Sequence, residues 1–250
     1  MIKFFRKIRQ KLLTENKFSK YLLYAIGEIL LVVIGILIAL SINNWNEKRK
    51  NNSLKESYIK NLIVDLDKDI ENLEQLNNIN TAAEKEGFYL TEFLDNTLIE
   101  IDTLRLTNSI IFCAYIPNSS IISSTYNDII NSNNINLFND IELKRLLDDY
   151  YIRNEWLELF NDRILKTAWY DYRDEMSKFH SPLLYQDFYA FDNSIALNYS
   201  SKYDVEWNHI KKNKYLKTQV GMIGAYRIMI RDDLERHIGK AKTILTYLGN

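Results

Sequence analysis

The chain has 250 residues, with 32 Lys and Arg against 33 Asp and Glu and a net charge of -1, enough for one compact core plus an appended segment. That balance argues against nucleic acid as an obligate partner, which calls for a clustered basic excess, and the single cysteine, Cys113, excludes an intrachain disulfide. With only 7 Gly and 2 Pro, turn residues are too scarce for a strand-rich fold, and long helices are expected.

Residues 1–20 read as a basic leader. Ile2, Phe5, Ile8 and Leu12 recur at helical spacing, with Lys3, Arg6, Lys7 and Lys11 between them. That is the pattern of an amphipathic helix on an anionic membrane surface. Residues 21–45 read as a transmembrane helix. The only charge from Tyr21 to Trp45 is Glu28, and Leu22 to Ile42 supplies 21 residues where a bilayer needs about 20 apolar ones. Tyr21 and Tyr24 at one end and Trp45 at the other stand where aromatic belts form, as interfacial anchors. A cleaved signal peptide is the alternative, since Ala39-Leu40-Ser41 offers small residues at a cleavage spacing. Against it, the basic leader is long and the apolar run exceeds the usual signal core of about 7 to 15 residues.

Seven basic residues precede the span (Lys3, Arg6, Lys7, Arg9, Lys11, Lys17, Lys20) and five follow it (Lys48, Arg49, Lys50, Lys55, Lys60). The excess places the N-terminus in the cytoplasm and residues 46–250 in the periplasm, a single pass through the inner membrane. Within the span, Gly27, Leu31, Gly35 and Ala39 fall at four-residue steps. Gly35-x-x-x-Ala39 is a small-x-x-x-small motif that permits close helix approach, and Glu28 borders the same face. Two readings of Glu28 stand side by side. It lies about 9–10 Å from the centre of the span at 1.5 Å per residue, near enough to the cytoplasmic headgroups to reach them or to be protonated. Alternatively it makes a polar contact in a helix–helix interface, since a carboxylate in hydrocarbon normally faces protein.

The stretch YAIGEILLVVIGILIALSINNWNEKRK resembles the start of a family of small single-pass membrane proteins of Bacteroidota, catalogued as a domain of unknown function. Its signature, G-E, then L-V-V-I-G-I-L-I-A-L, then I-N-N-W-N-E, falls on Gly27, Glu28, Leu31 to Leu40, Ile42 to Trp45, Asn46 and Glu47. A looser likeness covers Ser123 to Tyr151; members there often carry a Ser-Gly step, and this chain has Asn131-Ser132-Asn133. The resemblance implies a helical extracytoplasmic domain on a membrane anchor, and no known activity or functional residue.

Beyond the span, Leu54, Tyr58, Leu62, Leu66, Ile70 and Leu73 repeat every three to four residues, the inward stripe of a helix running to about Asn77. Thr81-Ala82-Ala83-Glu84 reads as a capping box that opens a second helix ending near Asp95-Asn96. From Ile101 to Asn139, Pro117 and the Ser/Asn-rich stretches NSSIISS and NSNNIN predict short helices and loops. Asn139 or Asp140 then caps a long helix along Leu143, Leu147, Tyr150, Leu157, Phe160, Ile164, Ala168, Tyr172 and Met176, with Pro182 beyond its end. His180 to Tyr203 reads as an aromatic connector. A last helix or pair from about Asp204 to Leu248 turns Leu216, Val220, Ile223, Ile230, Leu234, Ile238, Ala241 and Leu245 inward. The fold class is therefore all-α: an N-terminal transmembrane helix continuing into an extracytoplasmic antiparallel helical bundle.

No phosphate-binding loop, G-x-S-x-G or H-E-x-x-H occurs, so no cofactor is expected and the chain is read as a non-enzyme. Cys113, inside IIFCAYI, reads as a buried small hydrophobe. Glu206 and His209 have the Glu-x-x-His spacing of di-metal bundles, but only one copy is present. Asp65, Asp67 and Asp69 are expected to be solvated or paired with Lys or Arg of a neighbouring helix. Tyr150, Tyr151, Trp156, Trp169, Tyr170 and Tyr172 read as core aromatics, with a ligand groove as the other possibility. The expected function is a membrane-anchored, non-enzymatic interaction or ligand-sensing module. Its partners are the lipid bilayer and either a second copy or another membrane protein. The alternative is an accessory subunit of a transporter or cell-envelope complex.

Overall fold

The computed structural model describes the backbone of residues 18–115, 121–190 and 203–249, without the side chains of residues 18–21, 24, 153–162 and 187–190. Most of the basic leader and the anchors Tyr21 and Tyr24 therefore lie outside what it describes, as do the side chains of Trp156, Leu157 and Phe160. Every described element is helical and no strand occurs among the described residues, as the scarcity of Gly and Pro requires. The chain divides into two compact units, Met1–Ser57 and Tyr58–Asn250.

The described residues of the first unit, 18–57, belong to helix α1, Phe18–Leu94. From Leu22 to Ile42 its large apolar side chains are exposed, Leu31 by 69%. Among the described residues this is one helix long and apolar enough, by length and composition, to cross a membrane, and none of its apolar window is buried.

The second unit is a bundle of three long rods. The first is the remainder of α1. The second is α4, Ile141–Phe160, continued through one wide π turn, Asn161–Leu165, into α5, Lys166–Met176. The third is α8, Lys214–Gly249. Contacts set their directions. Glu74 meets Lys242, Glu84 meets Arg231 and Asp95 meets Lys217, so α1 and α8 are antiparallel. Asp140 meets Tyr247, Asp149 meets Lys240 and Glu175 meets Asn213, so the second rod is antiparallel to α8 as well. Shorter helices fill the corners: α2, Thr103–Phe112; α3, Ser124–Asn131; α6, Leu183–Ala190; and α7, Trp207–Lys212. The aromatic connector thus contains a helix, α6, as far as Ala190, where Pro182 sits just ahead of the first turn.

The apolar stripes explain the packing. Tyr58, Leu62, Leu66 and Leu73 of α1 are buried, as are Leu216, Val220, Ile223, Ile230, Leu234, Ile238 and Ala241 of α8, whereas Ile70 and Leu245 are half-buried and Leu54, expected inward, is 39% exposed. At roughly 1.5–3 kcal/mol for each large apolar side chain removed from water, these stripes are the main force holding the rods together. In the second rod the expected inward residue Ile164 is 41% exposed, while Leu165 is buried at 2%. An extra residue in a π turn rotates the following face, so Leu165 leads into Ala168, Tyr172 and Met176.

The expected break near Asn77 to Thr81 does not occur. Glu84 does not fold back on its own backbone as a capping box would require; its carboxylate accepts from Arg231 Nη1 at 2.8 Å. The helix instead ends at Leu94, where Asn96 takes the left-handed conformation (φ 59°) and Thr97 N–H donates to Glu92 O at 3.0 Å. At the other signals the sequence reads correctly. Asp140 Oδ1 accepts from Leu143 N–H at 2.9 Å and opens α4. Asn133, in the segment without glycine, adopts φ 55° and turns the chain after α3, because asparagine tolerates that region better than other non-glycine residues. A Cβ added at Gly87 would meet Cys113 Cβ at 3.7 Å, an ordinary contact, so α1 lies against the end of α2 there without requiring glycine.

Candidate functional site

Two places could carry function: the apolar face of α1 in the first unit and the polar interior of the bundle.

On the apolar helix, Leu31, Gly35 and Ala39 are exposed, and Gly27 and Glu28 are half-buried. A Cβ added at Gly27 or Gly35 meets no atom within 4 Å. The five residues share one helix and fall at three- and four-residue steps, which aligns them on one side. The face is thus a smooth strip of small and aliphatic side chains with one carboxylate at its edge. Trp45, 64% exposed, lies beneath the Arg49 guanidinium, 5.4 Å from its ring centroid. Arg49 Nη2 also donates to Asn46 Oδ1 at 3.4 Å.

The bundle interior is more polar than its sequence implies. Asp69 is 0% exposed and meets no Lys or Arg among the described residues. Its Oδ1 accepts from Ile122 N–H at 2.8 Å, just ahead of α3, and its Oδ2 accepts from Tyr150 O–H of α4 at 2.9 Å. Burial pushes its carboxyl up to about 6, opposed by those two hydrogen bonds. One turn earlier, Asp65 accepts from Thr125 Oγ1 at 2.5 Å. The two aspartates therefore fasten the start of α3 to α1. This corrects the expectation of solvated or Lys/Arg-paired carboxylates, which holds only for the exposed Asp67. Tyr150 also lies 5.5 Å, ring to ring, from His237 of α8. His237 is 1% exposed, its Nδ1 is 3.8 Å from Asp233 Oδ2, and burial holds its imidazole below the usual range.

Arg227 carries a second polar cluster. It is 1% exposed, the largest wholly buried side chain among the described residues. Its guanidinium donates to Cys113 O at 3.3 Å, to Tyr115 O, and to Asn80 Oδ1 at 3.2 Å. Asn80 Nδ2 returns a bond to Arg227 O at 2.9 Å. The guanidinium thus covers carbonyls left open at the end of α2, and burial lowers it to about 10. Neither Arg227 nor Asp69 stands out in sequence, because both interrupt otherwise apolar inward stripes at positions normally assigned to solvent.

The candidates for chemistry resolve as follows. Cys113 is 1% exposed, 3.6 Å from Tyr172 Oη, and burial pushes its thiol up to about 11; it packs as a small hydrophobe. Glu206 Oε2 and His209 Nδ1 are 2.7 Å apart on an exposed surface, and among the described residues no group of three or more His, Cys, Asp and Glu gathers to hold a metal. Tyr150, Tyr151 and Tyr172 are core. Tyr170 is 48% exposed, and the Arg173 guanidinium lies 4.6 Å from the Trp169 ring and 4.9 Å from that of Tyr170.

The class is therefore an all-α chain in which the apolar first part of α1 is exposed, while the rest of α1 and the other helices bury a common core. The chain belongs to a family of unknown function (DUF6090), whose model matches residues 28–186. The match takes in Asp65, Asp69 and Tyr150 and stops short of α8, with Arg227 and His237. No curated protein and no solved structure matches the chain.

Proposed function

We propose that this protein is a membrane-anchored, non-enzymatic interaction module. Residues 21–45 cross the inner membrane once, with the N-terminus in the cytoplasm and the bundle in the periplasm. The anchor associates with a second copy through Gly27, Leu31, Gly35 and Ala39, with Glu28 at the edge of that face. One observation supports the reading above the others: the apolar window of α1 buries nothing, while the inward stripes of the bundle are at or near zero exposure. A face of that size left in water is costly, and lipid or another apolar helix removes the cost. Small residues at four-residue steps let two backbones approach closely enough for dispersion to hold them.

The test is energy transfer between labelled full-length chains in native membranes, comparing the wild type with Gly35→Ile and Glu28→Leu. The expected result is loss of transfer for Gly35→Ile and a change for Glu28→Leu, with all three inserted to the same extent. Equal transfer in all three removes the interface. Recovery of another membrane protein in place of the second copy, on copurification in mild detergent, replaces it with a docking role.

A further inference from the structure

We propose that Trp45, Lys48 and Arg49 form a one-sided site for anionic phospholipid headgroups at the end of the apolar stretch, an inference that rests on the membrane reading above. Ala25 to Ile42 is 18 residues, about 27 Å of helix at 1.5 Å per residue, which matches a hydrocarbon core of about 30 Å. Trp45 follows within one turn, at the depth where an indole sits best. Lys48 and Arg49 lie about 4.5 and 6 Å further along the axis, at phosphate depth.

At 100° per residue, Lys48 and Arg49 flank Trp45 on its own side of the helix, three and four positions on. Glu47 projects from the opposite side and Lys50 points away. All of Trp45, Glu47, Lys48, Arg49 and Lys50 are exposed, and no ion pair joins the three cations to an acid among the described residues. The Arg49 guanidinium is already held over the Trp45 ring at 5.4 Å, with Asn46 Oδ1 accepting from Nη2. That stacking holds the planar fork beside the indole, leaving its remaining N–H groups to grip a phosphate through two parallel bonds. Lys48 adds a second charge on the same side. The acid opposite makes the cationic field directional, so a bound headgroup fixes the helix's rotation as well as its depth.

The experiment uses the full-length chain in nanodiscs made from an equimolar mixture of phosphatidylcholine and phosphatidylglycerol. Released complexes are weighed by native mass spectrometry, and insertion is scored separately by resistance to alkaline carbonate. The wild type is expected to retain phosphatidylglycerol in preference to phosphatidylcholine. Lys48→Gln and Arg49→Gln each reduce that preference about fivefold, the usual weight of one basic residue at a membrane surface. Lys50→Gln, which removes the same charge from the other side, leaves the preference intact, and added inorganic phosphate does not displace the lipid. An inserted wild type with no preference overturns the site, as do equal losses in Lys50→Gln and Arg49→Gln. A wild type that carbonate releases overturns the membrane reading itself.

Discussion

The two units of this chain are stabilised in opposite ways. In the bundle, Tyr58–Asn250, the inward stripes of three rods close on one another, and even buried charges find partners: Asp69 on Tyr150 and Ile122, Arg227 on Cys113 and Asn80. In the first unit, Met1–Ser57, the helix satisfies its own backbone and leaves its apolar side chains open. A helix of that kind is complete only in a solvent or against a partner as apolar as itself. The difference lies in what the apolar side chains meet: one another in the bundle, and none of the chain's own core along the first part of α1.

The largest expected effect follows directly. A chain starting at Asn46 is expected to leave the membrane fraction entirely while keeping a helical circular-dichroism spectrum and a cooperative melt. If it aggregates or loses its melt, the bundle depends on the first unit and the contrast fails.

Next in size is Arg227→Met, which keeps much of the packing but strips the donors from Cys113 O, Tyr115 O and Asn80 Oδ1. Leaving such buried acceptors open costs about 3 kcal/mol in total, seen as a fall of roughly 6–12 °C in Tm for a domain of this size. A loss below 1 kcal/mol would mean that water replaces the guanidinium.

Asp69 gives a pH signature of opposite sign to that of an ion-paired carboxylate, because burial raises its pKa where a neighbouring cation would lower it. Its folded carboxyl titrates at about 6, against an ordinary value of 3.8. Between those values the unfolded chain binds fewer protons than the folded one, so this contribution is fully present below pH 4 and is lost as pH rises through 6. Asp69→Asn keeps an oxygen for the Ile122 N–H and carries no charge. It is expected to flatten stability between pH 4 and 7 and to gain about 1–3 kcal/mol at pH 7, measured by urea unfolding at several pH values. An unchanged pH profile would place the titration on another group.

The smallest effect on the bundle belongs to Gly35→Ile. Its expected change in unfolding is within about 0.5 kcal/mol, while association in the membrane is lost. A large shift in the melt would show that the bundle and the anchor are energetically coupled.

What the sequence made legible was periodicity and punctuation. The stripes of α1 from Tyr58 on and of α8, the Asp140 cap, the buried Cys113 and the absence of strands among the described residues all follow from side-chain spacing and turn chemistry. What it hid falls into three physical kinds. Buried charges such as Asp69 and Arg227 look like surface residues until their partners, 53 to 147 positions away in sequence, are placed beside them. The π turn at Asn161–Leu165 shifts a face by one position without any breaker residue to announce it. The capping-box pattern at Thr81 to Glu84 is locally sound, yet the long-range pair between Glu84 and Arg231 outweighs it. The apolar helix was legible because its composition alone decides whether it suits water.

The central claim is that residues 21–45 cross a membrane with the leader inside and the bundle outside, and the lone buried cysteine makes it directly measurable. Cys113→Ala removes the native thiol, and single cysteines are then placed at Gln10 or Asn52 of the full-length chain in intact cells. A membrane-impermeant maleimide is expected to label position 52 at once and position 10 only after the inner membrane is opened. Equal labelling of both positions in intact cells, or labelling of position 10 alone, would contradict the account.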